Sequence, residues 1–312
     1  MGVATEYVLH NIRLPTGEDL TQLTEHSNNP SVEQMTAMSA GNPHPQFAAV
    51  QAVKPEVSFS TTQLKTLLDK TGGTSGCATA ALSSGNTDLY YRRVENLGLR
   101  TAVATTAHRR FRGTSAMLVI NQLQAEHRGI ATADAMIVFQ FDGTNPPLVP
   151  AGTLALVGTP LAAQQFTLGP VFLNGTQLPS VQRTQWQPNP QLFRDSAESE
   201  VYDSYIAADS VDSLFTFATL EVGVWDTLGI NGLALSGAGL EVYLRKKNAN
   251  GIHVPNATAE HIKLTGALGQ AVLGPSTGGR KVAHELRVQV VQPADGSSPL
   301  VVSTASTIPA GT

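Results

Sequence analysis

Arginine is the residue type whose placement most invites a chemical reading. Arg92, Arg93, Arg100, Arg109, Arg110 and Arg112 crowd into one stretch, with Tyr90, Tyr91, His108 and Phe111 among them. Guanidinium groups interleaved with aromatic rings suit single-stranded nucleic acid, offering charge to the backbone and flat faces to the bases. A second block, residues 195–212, carries Asp195, Glu198, Glu200, Asp203, Asp209 and Asp212 and no basic residue. The whole chain has a net charge of −4 and a pI of about 6.1, so its overall field does not attract polyanions. A salt-bridged contact between the two blocks, within a subunit or between subunits, is therefore the preferred reading. Such a contact sets register more than affinity. Lys246 and Lys247 form a basic tip on a hairpin expected over Leu240–Val254. The expected subunit-contact residues are Arg92, Arg93, Arg109, Arg110, Arg112, Asp195, Glu198, Glu200, Lys246 and Lys247.

No pattern of catalysis accompanies these charges. The eight histidines include no HExxH or HxH pair. His284 and Glu285 are neighbours on an alternating strand, so they point to opposite faces and cannot act on one atom. Neither a G-x-S-x-G elbow, a G-x-G-x-x-G turn nor a P-loop occurs, and the sequence implies no enzyme and no cofactor. Glu198, Glu200 and Asp203 lack the ligand spacing of a calcium loop, and no metal is expected. Cys77 is the only cysteine, which excludes an internal disulfide and a cysteine zinc site. MGVATEYVLHNIRLP has no basic segment followed by an apolar one, so the Asn174 and Asn256 glycosylation triplets read as chance. Glu6 stands where a myristoylation signal needs Ser or Thr. No unbroken apolar run is long enough to span a bilayer, and no membrane partner is expected.

The elements that would position these groups are mostly strands. Lys54–Gly73 reads as a strand with Val57 and Phe59 on one face, running into a short helix. Thr61 or Thr62 is its expected N-cap, Leu64, Leu67 and Leu68 share one face, and Gly72-Gly73 form its expected left-handed end. Residues 1–45 are expected to form an N-terminal arm or loop after a first strand at Tyr7–Leu14, with one helical turn at Val32–Met38. Residues 46–312 form a β-rich body, within which 110–225 is either an inserted second β domain or part of one elaborated sandwich. No internal repeat is visible at the periods of known repeat families. The fold class is mainly β: a sandwich or barrel with one short flanking α-helix.

Composition points toward assembly. Charged residues are only 14% of the 312, well under the usual ~25%. From Gly143 to Gln182 there is no charged residue, and six prolines forbid a continuous helix there. Such a stretch is threaded through a buried interface, whose core is poor in charge, or packed over the core. Trp186 and Trp225 would stack on sugar if exposed and fill the core if buried.

The strand-and-helix unit at Pro55–Gly73, the hairpin at Leu240–Val254 and the strand at Val282–Val290 together resemble the major tail tube proteins of tailed bacteriophages. The resemblance implies a β-sandwich flanked by a helix, assembled into stacked hexameric rings. Sheets of neighbouring subunits would join into an inner barrel through which double-stranded DNA passes as a transient passenger. It also implies self-assembly, contacts with other virion proteins, assembly in the host cytoplasm and residence in the virion tail. The alternatives are another virion component (capsid, decoration or baseplate) and a β-sandwich ligand-binding module.

Overall fold

The computed structural model describes residues 6–310 apart from 39, 41–43, 73–74, 96–97, 159–163, 199, 221–227, 229–233, 237–238 and 278–282. The first half of the chain runs β1 (Glu6–Arg13), β2 (Asp19–Leu20), β3 (Leu23–Asn29), β4 (Val32–Ala37), β5 (Phe47–Val53), β6 (Glu56–Thr61), α1 (Leu64–Thr71), β7 (Thr79–Ala81), β8 (Thr87–Val94), β9 (His108–Gly113), β10 (Ser115–Glu126), β11 (Thr132–Gln140) and β12 (Val149–Leu154). The second runs β13 (Gln165–Leu173), β14 (Thr176–Gln177), β15 (Val181–Gln187), β16 (Pro190–Asp195), β17 (Tyr205–Val211), β18 (Leu214–Thr219), β19 (Ala234–Ser236), β20 (Leu240–Lys247), β21 (His261–Gly266), β22 (Leu268–Thr277), β23 (Ala283–Val291) and β24 (Leu300–Ser306). The fold is mainly β and sandwich-like, with antiparallel sheets and one described α-helix.

The two halves are one fold written twice. A five-stranded sheet ordered β12-β9-β8-β1-β2 is matched by one ordered β24-β21-β20-β13-β14. The ten-stranded sheet consists of β7, β10, β11, β6 and β3 from the first half and β19, β22, β23, β18 and β15 from the second, paired in the same pattern. The two-stranded ribbon β4-β5 is matched by β16-β17. Each strand thus has its counterpart twelve strands later. Even the irregularities repeat: β1 bulges between Leu9 and Asn11, and β13 between Leu168 and Val171. The repeating unit is twelve strands long, far beyond the periods of known repeat families, at which the sequence shows none. The repeat divides between β12 and β13.

Alternation explains the large sheet. Val57, Phe59 and Thr61 of β6 are buried, as are Ala133, Ala135, Ile137 and Phe139 of β11. On β10 the residues facing the core are Ala116, Leu118 and Ile120, then Leu123 and Ala125, while Val119 is buried on the other face. A bulge between Ile120 and Gln122 causes that change of parity, since one extra residue re-aims every later side chain. These faces, the small sheets and the helix share one contiguous apolar core.

α1 forms where expected but ends differently. Its N-cap is Gln63, without a side-chain cap bond; Thr61 Oγ1 accepts the Gln63 N–H at 3.1 Å, and Thr62 donates to Gln22 Oε1. Gln63 Oε1 instead accepts the N–H groups of Thr21 and Gln22, pinning the β2–β3 link. Gly72 is right-handed (φ −63) and its N–H bonds Leu68 O; Gly73 lies outside the described residues. Leu64, Leu67 and Leu68 are fully buried. Lys65 Nζ reaches Thr304 Oγ1 on β24, so this helix of the first half also braces the last strand of the second.

Residues 15–45 contain strands where a loop and a helical turn were expected. β3 pairs with β6, and Val32–Ala37 is extended because it pairs with β5, whose hydrogen bonds an isolated turn could not supply. The C-terminal segment is held by the fold as well: β24 reaches Ser306, and Ile308 is buried.

Two consequences are testable. Leu67→Asp places an unpaired charge in the core, a loss of several kcal/mol against a total stability of about 5–15; circular dichroism should show no cooperative unfolding transition. Burial pushes the Cys77 thiol up to about 11, and its Sγ donates to Leu300 O. At neutral pH it is therefore protonated and covered, and iodoacetamide should label it only when the chain is unfolded.

Candidate functional site

The arginine block sits on the β8–β9 hairpin, and half of its charge is used locally. Asp88, buried on β8, accepts two bonds from Arg112: Nε to Oδ1 at 2.7 Å and Nη2 to Oδ2 at 2.8 Å. That fork-to-fork pairing raises the Arg112 pKa above its ordinary value. Arg110 Nε stands 3.8 Å from the same carboxylate, and Tyr90 OH donates to it at 3.3 Å. Arg92 Nε donates to Thr101 O. Arg109 is exposed and lies over the Tyr7 ring, 4.9 Å from its centre.

His108 is a latch rather than a catalyst. It is fully buried; Nδ1 accepts the Arg93 N–H at 3.1 Å, so Nε2 carries the proton and donates to Ala102 O at 2.9 Å. One ring thereby closes the long β8–β9 connection.

The second half repeats this hairpin. His261, also fully buried, accepts the Lys246 N–H at Nδ1 and donates from Nε2 to Pro255 O. Glu241 takes the place of Asp88: Tyr243 OH donates to it at 3.0 Å and Lys263 Nζ at 2.8 Å. Gly98 and Gly251, at φ 75 and 77, occupy the same left-handed position in the two connections. A side chain there would be strained. The match identifies the arginine–aromatic block, at least in this part, as a structural device of the repeat.

The acidic block lies on the β16–β17 ribbon and its turn. Asp195, Glu198, Asp209 and Asp212 are exposed, and Glu200 is half-buried. Arg194, next to the block, pairs with Glu56 at 2.9 Å. Lys246 pairs with Glu260, and the Lys247 backbone pairs antiparallel with that of His253. Among the described residues no ion pair joins Arg92, Arg93, Arg109, Arg110 or Arg112 to Asp195, Glu198 or Glu200. The salt-bridged contact expected between these blocks is thus not formed within the chain among the described residues.

Surfaces the sequence did not single out are the ribbons themselves. On β4–β5, Val32, Met35, Phe47 and Val50 are each 45–51% exposed. On β16–β17, Phe193 and Tyr205 are exposed and meet edge to face at 6.1 Å. Both ribbons are two strands wide, too few to bury either face by themselves. Trp186 is buried beside Phe215 and offers no sugar platform; Trp225 lies outside the described residues. Of the uncharged Gly143–Gln182 stretch, β13 is a core strand, while β12 is largely exposed.

Among the described residues, no group of three His, Cys, Asp or Glu is arranged to hold a metal, and no helix is long and apolar enough to cross a membrane. One open pocket, of about 310 Å³, is lined by His127, Arg128, Arg245, Lys247 and His253 without an acidic residue. Burial and the neighbouring Arg245 and Lys247 hold the His253 pKa below its ordinary value.

The duplicated clusters predict a graded pair of effects. Asp88 is 6% exposed and Glu241 36%. Asp88→Ala should cost about 2–3 kcal/mol by removing a buried carboxylate that accepts two charge-assisted bonds from Arg112 and one from Tyr90. Glu241→Ala should cost under about 1 kcal/mol. Urea unfolding midpoints of the two variants check the order.

The chain matches no protein-family model, and no curated protein matches it in sequence.

Proposed function

We propose that this chain is a virion structural protein that assembles with copies of itself into stacked rings, forming a tail tube through which double-stranded DNA passes. The observation that carries the reading is the tandem sheet. Two equal halves pair edge to edge into ten strands, and the ends of that sheet are left unpaired among the described residues. Open edges of this kind invite further strands, and closure into a ring removes them. The low charge content and the two exposed ribbons supply weakly charged surface for contacts between rings and with other virion proteins. The net charge of −4 disfavours retention of passing DNA.

The duplication changes the count of chains. A ring with six sheet units, as the tail tube resemblance implies, needs three chains, because each chain contributes two units. A hexamer of whole chains would contain twelve. Assembly should place the protein in the virion tail, with rings formed beforehand in the host cytoplasm.

Native mass spectrometry with negative-stain imaging tests this. The expected result is rings or tubes whose unit mass is three times the 32.9 kDa chain. Arg109→Glu, on an exposed side chain, should leave folding intact and weaken assembly; raised salt should do the same, since exposed charge pairs are screened. Icosahedral shells would favour a capsid protein instead, and a stable monomer at high concentration would favour the ligand-binding module.

A further inference from the structure

We propose that the joint between β10 and β15 inside the chain is repeated between chains, with β3 of one copy adding to the free end of β22 of the next, head to tail. The proposal deepens the self-assembly reading and rests on it for the existence of an assembly; the two edges and their register come from the repeat.

Inside the chain, β15 lies between β18 and β10. Its counterpart β3 lies against β6, the counterpart of β18, and its other edge is unpaired among the described residues. β10 carries β7 on Met117–Val119 and then β15 on Leu123–Glu126. Its counterpart β22 carries β19 on Gln270–Val272, and beyond that, on the same side, has no described partner. Among the described residues there is thus one unused donor edge and one unused acceptor edge, each the twin of an edge that is used. Such a contact is heterologous, so it propagates from copy to copy until it closes.

The register can be transferred residue by residue. Gln185 stands opposite Thr216 on β18 and Gln124 on β10. Ser27 is its counterpart, opposite Ser58 on β6 after the same bulge. Gln124 stands opposite Thr132 on β11, just past the β10 bulge; Thr277 holds that place, opposite Ala283 on β23 just past the β22 bulge. The repeated joint therefore sets Ser27 of one copy opposite Thr277 of another, and Asn28 opposite Ser276.

The outer strands agree. β24 is braced by the first half, through Lys65 on Thr304 and Cys77 on Leu300. Its counterpart β12 has no such brace among the described residues, and Val149 on it is 39% exposed. β12 and β3 both belong to the side of the first half whose twin, in the second half, is covered.

The test is a cysteine pair. Ser27→Cys and Thr277→Cys are made singly, mixed under mild oxidation, and run on a non-reducing gel; Cys77 is buried and does not compete. Expected is a disulfide-linked dimer of the two different chains. It should form about tenfold or more faster than with Ser27→Cys and Ser196→Cys, because pairing raises the local concentration. The double variant should give closed oligomers. Rings on images without a cross-link above the control would place the joint elsewhere, overturning this inference and leaving self-assembly intact. Linkage of Ser27→Cys to itself would make the contact isologous and overturn it also. A chain that stays monomeric by mass would overturn both readings.

Discussion

The pairing of β10 with β15 is the contact on which the rest of the molecule depends. It is the strand pairing that makes one ten-stranded sheet of the two five-stranded halves. With it, Leu123 stands opposite Trp186 and Glu126 opposite Arg183, and His127 N–H continues the ladder to Gln182 O at 2.7 Å. The joint is anchored by aromatic burial. Trp186 is 1% exposed, stacks on Phe215 with ring centres 6.0 Å apart, and satisfies its indole N–H on Ser213 Oγ. A buried tryptophan with its one donor satisfied combines large apolar burial with no desolvation penalty left over. The Ala131 N–H bond to Phe166 O then draws the small sheet of the second half against the first.

What the two halves share shows which features the fold cannot do without. The buried histidine latch survives with the same two backbone partners, because losing either bond would leave a buried polar group unpaired. The carboxylate–tyrosine–cation cluster survives in kind but not in identity, Asp88 with arginine becoming Glu241 with lysine. The first is sheltered and bidentate, the second more exposed and single. Geometry is kept where burial makes it costly to lose and drifts where water can substitute.

Much of the β architecture was legible because alternation reports on half-buried strands. Val57 and Phe59 of β6, and Leu240, Val242 and Leu244 of β20, are placed as their spacing requires. Three things were hidden. Ala102–Ala107 has strand composition yet forms turns, since the buried His108 latch holds that connection away from a ladder. Val32–Met38 has a helix-compatible pattern, but β5 as a neighbour decides its state, and that is non-local information. The repeat escaped notice because residue matches such as Tyr90 with Tyr243, Gly98 with Gly251 and His108 with His261 are sparse. What they preserve is bulge position and hydrogen-bond partner, which sequence alone does not display. The pairing of Arg112 with Asp88 follows from the β8–β9 register, which sets the two residues directly opposite each other.

The two versions of the donor strand differ in a way that fits their different tasks. β15 brings Trp186 and Thr184 into the buried joint, whereas β3 has Asn28 and His26 at those places and is exposed from Thr24 to Asn29. An exposed edge carrying tryptophan would pair indiscriminately during folding, and polar or charged edge residues such as Glu25 blunt that tendency. The internal joint forms once, under the high local concentration of a single chain, and can be strongly apolar. An edge awaiting a second copy has to remain soluble until that copy arrives, so its affinity rests on backbone hydrogen bonds and on many weak contacts made together. Replacement of an aromatic anchor by polar side chains at one of two otherwise equivalent edges is therefore what separates a joint built for folding from one suited to assembly.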